Sequence, residues 1–138
     1  MKAIQLFLFA CIVPVFVYSQ AVYEIKSNWY TAAFTKYGGN NNSRLRVIWK
    51  DGARSYLVEQ YIVVSITAAK IQIDGSDPRY IKGAGKEKGY DADHFTLVSD
   101  DNENYTGHNL DDAGKLYTVT LRKVKEEDKR AVLQKYGW

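Results

Sequence analysis

From Arg44 to Lys50, Leu45, Val47 and Trp49 alternate with Arg44, Arg46 and Lys50, and Asp51-Gly52 follows at once. Only an extended strand has a period of two that turns one set of side chains to a core and the other to water. Asp-Gly supplies the positive φ angles of a tight type I′ turn, so the pattern predicts a β-hairpin continuing through Arg54 to Val58. The next run, Tyr61 to Ile66 (YIVVSI), is almost continuously apolar and predicts a central strand covered on both faces. Lys70, Gln72 and Asp74 then alternate with Ile71 and Ile73, ahead of an expected turn at Asp74 to Pro78. One strand through all of this would be too long, so a break is expected near Ala68-Ala69.

Further strands are predicted at Phe95 to Val98, Tyr105 to His108 and Leu116 to Val124. Residues 28–37 read two ways. Trp29, Ala32, Ala33 and Tyr37 form a helical stripe between Asn28 and Gly38-Gly39, whereas Tyr30, Ala32 and Phe34 alternate as a strand; the helix is favoured. A C-terminal helix is expected from Glu126, Glu127 and Asp128 in a first turn, Val132, Leu133 and Tyr136 on one side, and Gly137 as the stop. Gly38 to Ser43 reads as a polar loop and Lys82 to Gly89 as a mobile one. The fold class expected is mainly β (α+β): an antiparallel sheet, as a small sandwich or partly open barrel, with a short N-terminal and a C-terminal helix.

Met1 to Ser19 reads as a secretory signal, with Gln5 the one strongly polar residue from Ala3 to Tyr18 and an end at Val17-Tyr18-Ser19. A membrane span needs about 20 apolar residues, and this run is shorter and contains Pro14. A lipoprotein site at Cys11 suffers from the bulk of Phe9. Residues 20–138 are then a single β-rich domain, extracellular or periplasmic, that has lost the one cysteine of the chain. Without thiols it has no disulfide, no Cys nucleophile and no Cys-ligated zinc, and its stability rests on an aromatic and β-branched core. Asn41-Asn42-Ser43 and Asn104-Tyr105-Thr106 are glycosylation triplets for a eukaryotic source.

Residues 91–112 hold seven acidic and no basic side chains, between two basic segments. Asp100, Asn102, Asn104 and Asp111 fall at positions 1, 3, 5 and 12 of a calcium-binding loop. Tyr105 stands where that loop needs Gly, Asp111 where it needs a bidentate Glu, and the flanks read as strands; a solvated acidic turn is the plainer reading. His94 and His108, with Glu59 as base, form a minimal kit for ribonuclease-like acid–base cleavage, without a spacing that fixes geometry. Gly83-Ala84-Gly85-Lys86 fails as a phosphate loop, with Tyr80 at the first Gly position and Glu87 in place of Ser or Thr. The stripe Arg44, Arg46, Lys50 and Arg54 has the form of a phosphate-contacting face, but the low net charge argues against nucleic acid as a partner.

Trp49, Tyr56, Tyr61 and Tyr117 fall on inward phases. Trp29, Tyr30, Tyr37, Tyr80, Tyr90, Tyr105 and Trp138 lie at element ends or in turns, where a ring with a polar tip suits recognition. The functional expectation is non-catalytic binding of a protein or glycan surface, as in an effector, inhibitor or toxin. Trp29, Tyr30, Tyr37, Arg44, Arg46, Tyr80, Tyr90 and Tyr105 are its candidate contacts. A carbohydrate-binding module and a ribonuclease-like hydrolase are the alternatives. No cofactor is expected beyond calcium at the acidic segment, and no membrane span in residues 20–138.

Overall fold

The structure, a computed structural model, describes residues 20–83, 89–99 and 101–138. The period-two pattern runs through eight strands: β1 (Gln20–Lys26), β2 (Tyr30–Tyr37), β3 (Asn42–Asp51), β4 (Arg54–Thr67), β5 (Lys70–Lys82), β6 (Asp93–Val98), β7 (Asn104–Asp111) and β8 (Leu116–Lys123). Each pairs antiparallel with the next, and β1 pairs with β8 through Tyr23↔Lys123 to Lys26↔Thr120, which closes the sheet into a barrel. This corrects the expected sandwich or partly open barrel: closure pairs the two edges that an open sheet would leave exposed. One set of side chains fills the interior, including Ile25, Phe34, Leu45, Val47, Ile62, Ile71, Ile73, Phe95, Leu97 and Leu121.

Residues 30–37 form β2 instead of the favoured helix. Tyr30, Ala32 and Phe34 face the interior, while Ala33 is buried on the outside beneath a second cluster of Val22, Val124, Val132 and Tyr136. That second cluster docks the C-terminal helix, which is present as a 3-10 turn (Glu126–Asp128) continuing into α1 (Lys129–Lys135). Trp138 N–H bonds to the Leu133 carbonyl at 2.9 Å and Gly137 N–H to that of Gln134 at 3.0 Å, with Gly137 at φ +78°. These two bonds are the Schellman closure that glycine after a helix permits.

The break at Ala68-Ala69 is where β4 turns into β5. The turn expected at Asp74 to Pro78 is instead an irregularity within β5: pairing with β4 shifts between Glu59 and Tyr61, and Asp77 has φ +51°. At the β3–β4 turn only Gly52 has positive φ, so one of the two such angles of a type I′ turn is missing. The apolar run in β4 is covered on one face only: Ile62 and Val64 point inward, whereas Tyr61 and Val63 are exposed. Tyr61, expected in the core, lies on the outer wall beneath the guanidinium groups of Arg44 and Arg79, which sit 5.3 and 5.6 Å from its ring centre. Among the described residues no helix is long and apolar enough to cross a membrane. The signal-peptide segment lies outside the described residues, as do residues 84–88 of the expected mobile loop.

Candidate functional site

Successive antiparallel strands put alternate connections at the same end of a barrel. The β1–β2, β3–β4, β5–β6 and β7–β8 connections share one end, and there the interior opens into a cavity of about 690 Å³. Its walls carry Trp29, Tyr30, Trp49, Tyr80, Tyr90 and Tyr117. The rings support one another. Trp49 stacks on Tyr56 (4.4 Å between centres), Tyr56 meets Tyr80 edge-on (6.0 Å), Tyr80 meets Tyr90 (6.5 Å), and Tyr30, the cross-strand partner of Trp49, meets Tyr117 (5.6 Å). Trp29 is 74% exposed at the rim, on a turn held by the Ser27 hydroxyl, which accepts the N–H groups of Trp29 (3.0 Å) and Tyr30 (3.1 Å).

The floor is polar. Asp93, 2% exposed, accepts from the Gln60 amide (2.6 Å), the Asn109 amide (2.6 Å) and the Tyr90 hydroxyl (2.9 Å). Asn109 also donates to the Tyr30 hydroxyl at 2.7 Å, and Gln60 accepts the Asp93 N–H at 3.0 Å. Gly75 makes this arrangement possible, since a β-carbon there would collide with Gln60 Oε1 and come within 2.8 Å of the Asp93 carbonyl. Burial raises the Asp93 carboxyl above the usual range, against the pull of the Asn109, Gln60 and Tyr90 hydrogen bonds, which favour the anion. Burial and the Asp93 charge also push the Tyr30 and Tyr90 hydroxyls up, so both stay protonated. Trp49 Nε1, a buried donor, has no hydrogen-bond partner among the described residues. Lys50, Asp51, Asp91, Asp111, Lys115 and Leu116 complete the mouth.

Of the contacts expected from the sequence, Trp29, Tyr30, Tyr80 and Tyr90 come together here. Tyr37 lies at the opposite end of β2, and Tyr105 is buried inside with its hydroxyl on the Asn102 carbonyl. Arg44 and Arg46 are on the outer wall, both paired with the nearly buried carboxylate of Glu59. Trp49, Asp93 and Tyr117 were missing from the expected set, although each carries a strand's inward parity to the mouth end. The acidic residues do not form the expected calcium loop. Asn104 and Asp111 are the two ends of β7, about 24 Å apart at strand rise, and the Asn104 amide donates to Asp101. Asp100 lies outside the described residues, and no metal-holding group of three or more His, Cys, Asp or Glu occurs among the described ones. Asn41 and Asn104 are both exposed.

The ribonuclease-like kit does not assemble: the register makes His94 and His108 diagonal neighbours on the outer face of β6 and β7 and leaves Glu59 apart from them. Glu59 is held by arginines, and the register places His94 across from Asp74 and, beyond it, Val63, four residues along β4 from Glu59. His94 bridges Asp112 (2.8 Å) and Asp74 (3.2 Å) through opposite ring nitrogens. Burial alone would lower its pKa, but the hydrogen bonds and charges of Asp112 and Asp74 carry it above the usual value. A raised folded pKa stabilises the fold fully below the unfolded value of about 6.5 and ceases to do so as pH rises through the folded value. His94 is 37% exposed and its partners more so, which limits the effect to about 1 kcal/mol or less. Denaturant midpoints measured from acid to alkaline pH are expected to show wild type losing this advantage over His94→Gln as pH rises. Parallel profiles for the two proteins count against it.

Neither a family model nor a curated protein matches the chain. Among solved structures it is similar to a redesigned beta barrel, at 11% identity over 77% of this chain and 90% of that one, with a TM-score of 0.46.

Proposed function

We propose that the chain is a non-catalytic binding protein that takes a small, ring-containing molecule into the open end of its barrel. The observation that carries this is the cavity of about 690 Å³ walled by six aromatic side chains over a hydrogen-bonded polar floor. Pockets for small molecules commonly measure about 300–1,000 Å³ and combine apolar walls with a few fixed polar groups. An eight-stranded barrel is also the size that accommodates a single small ligand. The binding role expected from the sequence is retained, and its target becomes a molecule that enters a concavity instead of a macromolecular surface. The apolar leader Met1–Ser19 supports export as the setting.

Fluorescence titration with the neutral dye N-phenyl-1-naphthylamine tests this reading. Saturable binding of one dye per chain is expected, weakened about tenfold by Trp49→Ala, which removes a stacked wall. Trp29→Ala alters an exposed rim ring whose loss leaves the core intact, and a loss of several-fold is expected. An absence of binding by this dye and by the smaller aryl probes used below, or dye binding that neither substitution weakens, would sink the proposal.

A further inference from the structure

The Asp93 carboxylate is buried at the floor of the cavity, and all three side chains that hold it, Gln60, Asn109 and Tyr90, are neutral donors. Donors on every side favour the anion, yet no Lys, Arg or His pairs with it among the described residues. The contrast with the other two buried acids is direct: Glu24 has Arg122 and Lys135, and Glu59 has Arg44 and Arg46. A buried charge without a partner is costly, and such a group in a cleft points to what the cleft receives.

Among the described residues, acidic groups outnumber basic ones around the mouth. Asp51, Asp91 and Asp111 join Asp93 along the cavity, against Lys50 and Lys115. Both lysines are exposed, as are Asp51 and Asp91, so water and salt screen these four, whereas the field of buried Asp93 is screened least. An anionic ligand would meet this field with like charge, and a neutral one would desolvate the carboxylate without compensation. A metal ion would find one carboxylate already engaged by three donors. An organic cation needs no such set of oxygen ligands, because aromatic faces attract it within about 6 Å of their centres.

We propose, building on the small-molecule reading above, that the ligand is an aryl-alkyl ammonium whose positive group sits over Asp93 between Tyr30, Tyr90 and Tyr117. Its ring lies against Trp49 and Tyr80, and Trp29 covers the entrance. Tyr90 and Asn109 hold the carboxylate in position, and the cation supplies the charge compensation that no described residue gives it.

Calorimetry with three probes of nearly equal shape separates this inference from the reading on which it rests: phenethylamine (cation), 2-phenylethanol (neutral) and phenylacetate (anion), all at pH 7. Phenethylamine is expected to bind about tenfold more tightly than 2-phenylethanol, with phenylacetate weakest. Asp93→Asn is expected to bring the first two within about threefold of each other by weakening the amine alone. Because that variant alters a buried network, Asp91→Asn, at an exposed position, provides a second arm: a smaller loss confined to the amine. Equal or tighter binding of 2-phenylethanol overturns the cation inference and leaves the small-molecule reading intact. Failure of all three probes, together with failure of the neutral dye, overturns both.

Discussion

Gly107→Ala is expected to be among the most damaging single-methyl additions in this chain, lowering stability by about 3 kcal/mol or more. Gly107 pairs with Leu97 across β6 and β7. A β-carbon built there lands against the Thr96 carbonyl oxygen and carbon (2.9 Å), and 2.8 Å from Leu97 Cα. These atoms are backbone, so no rotamer change can relieve the collision, and one of two paired strands must move. Glycine inside a strand commonly marks a place where a barrel wall bends and two backbones approach. The neighbouring interior residues Phe95 and Leu97 are fully buried, so displacement of β6 would be felt in the packed core. A domain of about a hundred residues holds a total stability of about 5–15 kcal/mol, so the variant loses a large part of it. Thermal unfolding should shift down by more than about 10 °C. Gly39→Ala is the control, since a β-carbon there meets nothing within 4 Å and φ is ordinary; a shift as small as its own would refute the argument for Gly107.

The strands were legible wherever one face met water. Leu45, Val47 and Trp49 alternate with basic residues because β3 has a filled barrel on one side and solvent on the other. The same rule explains the failure at β2. Ala33 is buried outside the barrel by the docked helix while Ala32 and Phe34 are buried inside, so small apolar residues occur on both parities and imitate a helical stripe. In β4 the exposed Tyr61 and Val63 imitate a strand covered on both faces; the two arginines above Tyr61 are partners that local sequence does not reveal. Barrel closure was hidden for a different reason. It depends on Tyr23 pairing with Lys123 and Ile25 with Leu121, contacts between chain segments nearly a whole domain apart that leave no mark on local periodicity.

The site was legible in its chemistry more than in its assembly. Aromatic residues in turns suggested recognition, and Trp29, Tyr30, Tyr80 and Tyr90 do share the mouth. The sequence does not say which turns meet until the meander is known. Once it is, parity of connection sorts them: Tyr37 leads into the β2–β3 turn, and Asn102 and Asn104 belong to the β6–β7 connection, all at the far end. Asp93 was passed over as one of seven acids in a polar stretch, because burial by Gln60 and Asn109 comes from strands 33 and 16 residues away. Glu59, read as a candidate base, is a structural anion for the same kind of reason: its partners Arg44 and Arg46 come from the neighbouring strand.

Removal of the Tyr136 side chain by Tyr136→Ala is expected to cost about 3–5 kcal/mol and to release the C-terminal helix from the barrel. Tyr136 is fully buried against Val22, Ala33, Val124 and Val132, outside the sheet. A helix of seven residues is too short to persist alone, so its order depends on this contact. The hydroxyl donates to Glu24 Oε2 at 3.1 Å, as does Lys135 at 3.3 Å, while Arg122 donates to Oε1 at 2.9 Å. Burial would raise the Glu24 carboxyl, but these partners hold it below the usual range. Arg46 fastens the end of the helix from β3: Nη1 donates to the carbonyls of Tyr136 (3.1 Å) and Gly137 (2.7 Å), and the guanidinium lies 4.9 Å from the Trp138 ring centre. Tyr136→Phe removes only the hydroxyl and leaves Glu24 with two cations, so a loss of about 1 kcal/mol is expected. Denaturant unfolding separates the two variants, and amide exchange of residues 129–135 reads the helix directly, with protection lost in Tyr136→Ala and kept in Tyr136→Phe. Similar losses in both would show that the hydrogen bond to Glu24, and not the buried ring, anchors the helix. Retained protection in Tyr136→Ala would shift that role to Arg46, whose guanidinium and Glu59 partner the substitution leaves in place.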